Sequence, residues 1–345
     1  MRSSNPPKRD PHAKTELALL KQIRGRAAQP GLGLRLGIGD DCALLRLRPS
    51  EELAVTTDLS IAGRHFQLQT HPPESIGHRT LARGLSDLAA MGARPVAAFL
   101  SLGLPRELAG QWLSRFLDGF FALAGETNTP LAGGDLAESP IAVADIVLTG
   151  AVSHGKALLR SGARPGDLIY VTGSLGGSAA GLAQLQTATP KSARRQFPRI
   201  PARLADRLAP HLFPQPRLAQ GLALVRRRLA TAAIDISDGL STDLAHLCHE
   251  SDVASHIDSR VAAEIDAAAL PIHPDATLAQ ALHGGEDYEI LFTASPSARV
   301  PRSIAGIPVT RIGRMIRATA SQPAITLLVD GKRQPLTPQG WQHFL

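Results

Sequence analysis

The apolar positions of this chain recur at helical spacing in some stretches and run unbroken in others. Leu17, Leu20 and Ile23 share one side of a 3.6-residue repeat, which predicts an opening helix over 16–26. Residues 53–57 form a short strand-like run that ends in Asp58. Residues 75–91 read as a helix rich in small side chains, closed by Gly92 with Pro95 just beyond. A strand over 96–104, an amphipathic helix over 107–124 and a strand over 141–152 follow. After a Gly- and Pro-rich loop at 161–167, a strand at 168–172 turns through Gly173 to Ser178 into an Ala-rich helix. Strands alternating with helices in both halves predict an α/β (mixed α+β) fold in two domains, 15–150 and 155–345. Residues 1–14, polar and carrying three prolines, predict a disordered tail without a signal core. The polar, basic stretch 187–201 predicts a surface insertion.

Composition narrows the class. A chain of 345 residues with 43% hydrophobic and 19% charged residues has material for two ordinary globular domains. No apolar stretch approaches the roughly 18 residues of a transmembrane helix, so no membrane partner is expected. Cys42 and Cys248 stand far apart without metal-ligand spacing, which points to a reducing, cytoplasmic setting. Twelve histidines show no HxxxH or HExxH pattern, against a zinc site. The net charge of +7 invites a nucleic-acid reading, but the arginines are spread along the chain and aromatics make up only 4%. Single-strand binders interleave stacking aromatics with a basic track, and that footprint is missing.

Two glycine-rich stretches imitate phosphate loops. Gly150 to Lys156 fits a Walker A loop until Ala157, which lacks the hydroxyl that binds Mg²⁺. In the series Gly31, Gly33, Gly37 and Gly39, Leu36 stands where the third glycine of a dinucleotide-binding fingerprint belongs. The turn Gly173 to Gly177 suits either an anion cradle of backbone N–H groups or a tight strand-to-helix connection.

The chemistry lies in six short acidic motifs within a basic chain: Gly39-Asp40-Asp41, Thr56-Thr57-Asp58, Ser86-Asp87, Gly133-Gly134-Asp135, Asp235-Ile236-Ser237-Asp238-Gly239 and Gly284-Gly285-Glu286-Asp287. Four follow apolar runs, which places their carboxylates at the ends of buried elements. Carboxylates in contact repel by about 4 kcal/mol per pair at an effective dielectric near 20, and divalent cations relieve that cost. Oxygen donors without His or Cys select a hard ion, and Mg²⁺ combines a few carboxylates with substrate phosphates. Taken singly, each motif also fits a turn residue or a helix cap.

Taken in order, the motifs are specific. Gly37 to Leu45, Thr57-Asp58 with Gly63-Arg64-His65-Phe66, Leu85 to Ala93, Gly133-Gly134-Asp135, Leu159 to Asp167, Ile234 to Leu240 and Gly284 to Glu289 together resemble the thiamine-monophosphate kinases, over nearly the whole chain past the first dozen residues. The wider superfamily is that of aminoimidazole-ribonucleotide-synthetase-like ATP enzymes. The resemblance implies a two-domain fold whose N-terminal domain binds ATP and Mg²⁺ and pairs in a homodimer, while the C-terminal domain closes the site. It implies several Mg²⁺ ions at Asp40, Thr56, Thr57, Asp58, Asp87, Asp135, Asp235 and Asp238, and nucleotide contacts at Gly134, Asp135, Arg160 and Ser237. His65, Glu286 and Trp341 match contacts to thiamine monophosphate. The implied reaction moves the γ-phosphoryl group of ATP in line onto a phosphate oxygen of thiamine monophosphate. That oxygen is already anionic, so positioning and charge neutralisation replace a general base.

Three positions depart from the family pattern: Gly84 where Asn is usual, Leu136 where Thr is common, and Leu117 where many members carry Tyr. All three are expected on the ATP side of the site. The residues alone leave two other readings open: another ATP-dependent enzyme of the superfamily, and a non-catalytic paralogue that binds nucleotide or thiamine phosphate.

Overall fold

A computed structural model describes residues 16–27, 32–188, 198, 200, 202–255, 260–319 and 321–341. The predicted tail at 1–14 and most of the basic stretch at 187–201 lie outside the described residues. The first half opens with α1 (Glu16–Ala27) and a small hairpin of β1 (Leu34–Leu36) and β2 (Leu44–Leu45). It continues with β3 (Glu51–Ile61), α2 (Pro73–Ala90), β4 (Arg94–Leu104), α3 (Gln111–Glu126), β5 (Leu131–Glu138) and β6 (Val143–Ser153). The four long strands form one sheet in the order β3-β6-β4-β5, with β3 and β5 at its edges. The helix expected over 107–124 begins later, at Gln111, because Gly110 separates it from a single 3₁₀ turn at Arg106–Leu108.

Helices α2 and α3 cover one face of this sheet. They approach closely because glycines meet backbone across the contact. A Cβ on Gly119 would lie 1.8 Å from the Glu74 carbonyl oxygen, and one on Gly77 would lie 1.9 Å from that of Phe116. Around this contact Trp112, Phe116, Phe120, Leu81, Leu85 and Ile146 are fully buried. On the other face the β1–β2 hairpin covers Val96 and Ala132. Along β3, Leu53, Val55 and Leu59 remain exposed at 51, 56 and 46%.

The second half holds β7 (Leu168–Thr172), α4 (Gly177–Ala188), α5 (Ala205–Leu212), α6 (Leu218–Arg227), β8 (Ala232–Asp235), α7 (Leu240–Ser255), β9 (Arg260–Asp266), α8 (Leu278–His283), β10 (Ile290–Ala294), β11 (Ser303–Ile304), β12 (Ile307–Ala318), β13 (Ile325–Val329) and β14 (Lys332–Pro335). Its sheet runs β14-β13-β9-β12-β7-β10-β8, with β11 paired to β12. Most neighbours are antiparallel, and β13 joins β9 in parallel. Helix α7 packs on one face through Leu240, Leu244 and Leu247. Toward the other lie α6 and the C-terminal end of α2, where Ala89, Leu224, Ala233 and Phe292 share a core. Helix α2 therefore belongs to both halves and carries side chains to their junction.

Candidate active site

The junction encloses a cleft of about 700 Å³. Asp58, Asp87, Asp235 and Asp238 line it together with Ser237, and so do His65, Glu286 and Trp341. Three elements deliver the carboxylates. Asp58 comes from β3, Asp87 from the last turns of α2, and Asp235 from the end of β8. The expectation that the carboxylates cap buried elements is corrected here. Strand β3 runs on to Ile61, so Asp58 is mid-strand, Asp87 is inside a helix and Asp135 is inside β5; of these, Asp235 alone ends its element. A half-exposed edge strand tolerates alternate polar residues, so Asp58 and Ser60 do not terminate it.

The strand period also divides Thr56 from Thr57. Thr56 and Asp58 face α2, and the Thr56 hydroxyl donates to the Asp87 carboxylate. Thr57 faces the opposite side with Leu53, Val55 and Leu59, away from the cleft. Asp40, Gly134 and Asp135 are also placed elsewhere. They line a second pocket of about 430 Å³ on the β5 edge with Leu117, Leu136 and Ile23. Arg160 does not line the cleft but stands close enough for its charge to act on Asp87 and Asp235. Within one chain the eight candidate metal positions thus separate: Thr56, Asp58, Asp87, Asp235 and Asp238 at the cleft, Asp40 and Asp135 at the second pocket, and Thr57 at neither.

Charge shows what the cleft is suited to hold. Burial pushes the Asp58 carboxyl up to about 6, Arg83 opposes that, and Asp87 adds to it. Asp87 also rises to about 6, through burial and then the charge of Asp235. Asp235 is raised by burial, against the hydrogen bond that Ser86 Oγ donates to it at 2.7 Å. Buried carboxylates that repel one another in this way are the donor chemistry of a hard divalent cation. Among the described residues, no three His, Cys, Asp or Glu side chains could enclose an ion by themselves. The donors fit an ion such as Mg²⁺ that completes its shell with water and substrate phosphate.

The other end of the cleft is built on two crossed loops. Glu286 N–H donates to the Ser237 carbonyl at 2.8 Å and Tyr288 N–H to that of Ile236 at 2.9 Å. Both residues hold left-handed backbone, φ 65° and 51°, which non-glycine residues adopt at a cost. A Cβ on Gly285 would meet the Ser237 carbonyl oxygen at 2.4 Å, so only glycine lets the loops touch. Asp243 anchors the facing loop, its Oδ2 accepting from the N–H groups of Ser237, Asp238 and Gly239 at 3.0 Å each. Trp341 N–H donates to the Asp238 carbonyl at 3.2 Å, while its side chain stays half exposed over the cleft. His65 Nδ1 accepts from Ile61 N–H at 3.1 Å, which puts the ring proton on Nε2.

Beneath Glu286 lies a buried network that the sequence reading missed. Arg79 on α2 donates to Glu286 Oε1 at 2.5 Å and to the His211 carbonyl. His71 and His211 face each other at 3.0 Å through their Nε2 atoms. Gln67 N–H donates to His71 Nδ1, so a neutral His71 carries its proton on Nε2, toward His211, while His211 Nδ1 lies 3.0 Å from Ser178 Oγ and 3.3 Å from Arg79 Nη1. Burial holds both rings neutral, with His71 lowered to about 4 and His211 held well below its ordinary range. The one signal in the sequence was the i, i+4, i+8 spacing of Arg79, Arg83 and Asp87 on a single helix.

The look-alike motifs resolve physically. The N–H groups of Gly176 and Ser178 donate to the Asp287 carboxylate at 2.6 and 3.0 Å, so the turn before α4 holds an anion from its own chain. The Walker-like stretch lies on β6 and the turn after it, and no helix starts at Lys156. Gly84 faces the sheet: a Cβ there would sit 2.8 Å from Leu148 Cδ1 and 3.6 Å from Thr56 Cγ2. A side chain at 84 would therefore meet Leu148 first and stand beside Thr56. Leu117 and Leu136 line the second pocket together with Gly134 and Asp135.

Comparison with known proteins agrees with this architecture. Residues 39–153 match the family model for the AIR synthase related protein N-terminal domain, and 164–318 that for the C-terminal domain. Thiamine-monophosphate kinase of Escherichia coli K12 is 42% identical over 334 residues, covering 95% of this chain and 98% of the relative. A solved thiamine-monophosphate kinase from Stenotrophomonas maltophilia K279a superposes with a TM-score of 0.76 at 38% identity, over 92% of this chain and 98% of the other. AaThiL complexed with AMPPCP and TMP superposes with a TM-score of 0.71 at 29% identity, over 95% and 97%.

Proposed function

From the membership of this chain in the thiamine-monophosphate kinases of the AIR synthase related family, we infer that it transfers the γ-phosphoryl group of ATP to thiamine monophosphate, yielding ADP and thiamine diphosphate. The observation that carries this reading is the single cleft in which Asp58, Asp87 and Asp235 face His65, Glu286 and Trp341. A donor and an acceptor that are both anionic need charge neutralisation and alignment more than proton transfer. The related AaThiL has been solved with AMPPCP and TMP together, which fits a direct transfer between two bound substrates.

The roles rest on the family resemblance together with the residues that the cleft brings together. Asp58, Asp87, Asp235 and Asp238, with Thr56 orienting Asp87, would hold Mg²⁺ in the cleft, and Asp40, Thr57 and Asp135 would supply the remaining metal contacts. Bound Mg²⁺ offsets charge on the phosphates and on these carboxylates. Gly134, Asp135, Arg160 and Ser237 contact the nucleotide. At the acceptor end, Glu286 meets the cationic thiamine ring system, Trp341 lies against it, and His65 Nε2–H reaches the phosphate side.

The chain works as a homodimer joined through the open face of the N-terminal sheet. Exposed Leu53, Val55 and Leu59 support this, because a row of apolar side chains on an edge strand invites a partner. Thr57 and Asp135, which one chain leaves away from the cleft, share that face by register. Cys42 and Cys248 are free thiols, which suits a reducing cytoplasmic setting, and among the described residues no helix is long and apolar enough to cross a membrane. The function is tested by incubating the protein with thiamine monophosphate, ATP and Mg²⁺ and quantifying thiamine diphosphate by chromatography. Wild type is expected to form product and Asp58→Asn to lose it while keeping its fold; absence of product from folded wild type refutes the assignment.

A further inference from the structure

Helix α2 turns three charged side chains toward the cleft at positions 79, 83 and 87, one helical turn apart. Two are already committed. Arg79 is bonded to Glu286 and the His211 carbonyl, and Asp87 accepts from Thr56. Arg83 is not. Its side chain is only 18% exposed, it lines the cleft, and among the described residues its one hydrogen bond is a 3.3 Å contact to Asp58 Oδ1. A guanidinium carries five N–H donors in a planar fork, and withdrawing it from water for one long contact is unfavourable unless an anion completes the set. The charges acting on it come from Asp58 on one side and from Glu286 on the other. Arg83 therefore stands on the boundary between the carboxylate cluster and the loop that carries Glu286.

Resting on the kinase reading above, we propose that Arg83 is a substrate-contacting residue whose guanidinium binds the phosphate of thiamine monophosphate and aligns it for transfer. In the step it serves, a deprotonated oxygen of that phosphate forms a new bond to the γ-phosphorus of ATP. The bond from that phosphorus to the β,γ-bridging oxygen breaks, and its electron pair leaves with ADP. No proton has to be removed, so the task left to the protein beside the acceptor is to offset charge and fix direction. A planar fork does both for a phosphate, and Lys would supply charge without the fork. The chemistry specifies a phosphomonoester on a cationic, partly aromatic body: Glu286 and Trp341 suit the body, and Arg83 reads the phosphate.

The test compares wild type, Arg83→Met and Arg83→Lys, each checked for fold by circular dichroism. It measures kcat, the KM for each substrate, and calorimetric affinities for thiamine monophosphate and for thiamine. Removing a charged hydrogen-bonding partner predicts a loss of about 10- to 100-fold in KM and affinity for thiamine monophosphate in Arg83→Met. Affinity for thiamine, which has no phosphate, is expected to stay unchanged, as is the KM for ATP, and Arg83→Lys should recover part of the loss. The proposal is overturned if affinities for thiamine and its monophosphate fall together, if the KM for ATP rises instead, or if nothing changes. Should Arg83→Met fail to fold, the same comparison made with Arg83→Lys decides. A wild type without turnover would refute the kinase reading, and the calorimetric comparison would still judge Arg83 separately.

Discussion

Replacing Arg79 with Met removes the cation on which Glu286 rests, and the structure sets the size of the loss. Arg79 is 5% exposed at the side chain and Glu286 27%, and their contact is 2.5 Å. Burial alone would raise the Glu286 carboxyl. The Arg79 guanidinium, with help from Arg83, outweighs burial and holds it at about 2 against an ordinary 4.5. That difference corresponds to about 3 kcal/mol of folding stability, since one unit is worth about 1.4 kcal/mol. Breaking a buried pair from one side costs about 3–5 kcal/mol by mutational experience, so the two routes agree. The folded value lies below the unfolded one. The contribution is therefore fully present above about pH 4.5 and is lost as pH falls from there toward 2. Urea denaturation of wild type and Arg79→Met should show a gap of about 3 kcal/mol at pH 7 that narrows steadily below pH 4.5. A gap under about 1 kcal/mol at pH 7, or one that stays constant as pH falls, would refute the reasoning.

Two further consequences concern packing and assembly. Gly119→Ala places a methyl group 1.8 Å from the Glu74 carbonyl, on backbone that yields only if α2 and α3 part. Despite the better helix propensity of Ala, a net loss of about 2 kcal/mol and a fall in Tm of about 4–8 °C are expected by differential scanning fluorimetry. Val55→Asp puts a charge into the exposed apolar row of β3; sedimentation should then show monomer where wild type shows dimer, with fold retained.

The sequence carried much of the fold and part of the site, for identifiable reasons. Helix α2 and strands β4, β6 and β7 were legible because their apolar residues keep an unbroken period and their ends carry Gly or Pro. Strand β5 was hidden because Gly133-Gly134-Asp135 reads as a turn, whereas its glycines serve a close approach to β4. The motifs located the carboxylates but not their grouping, since whether Asp135 meets Asp58 depends on sheet order, with β5 and β3 at opposite edges. Arg79 and Arg83 escaped notice because arginines on a helix ordinarily face solvent, and only the tertiary junction turns this face inward. Asp287 was noticed as a potential ligand and instead satisfies backbone donors of its own chain.

The central claim is direct transfer between two bound substrates, and ³¹P NMR of one reaction mixture tests it. With equimolar ATP and thiamine monophosphate plus Mg²⁺, the account predicts that the γ-phosphate of ATP and the monoester signal disappear in step. The diphosphate signals of thiamine diphosphate and ADP should replace them, with no inorganic phosphate accumulating. ADP and inorganic phosphate appearing while the monoester signal persists would contradict it, and would mark the chain as an enzyme that spends ATP on some other acceptor.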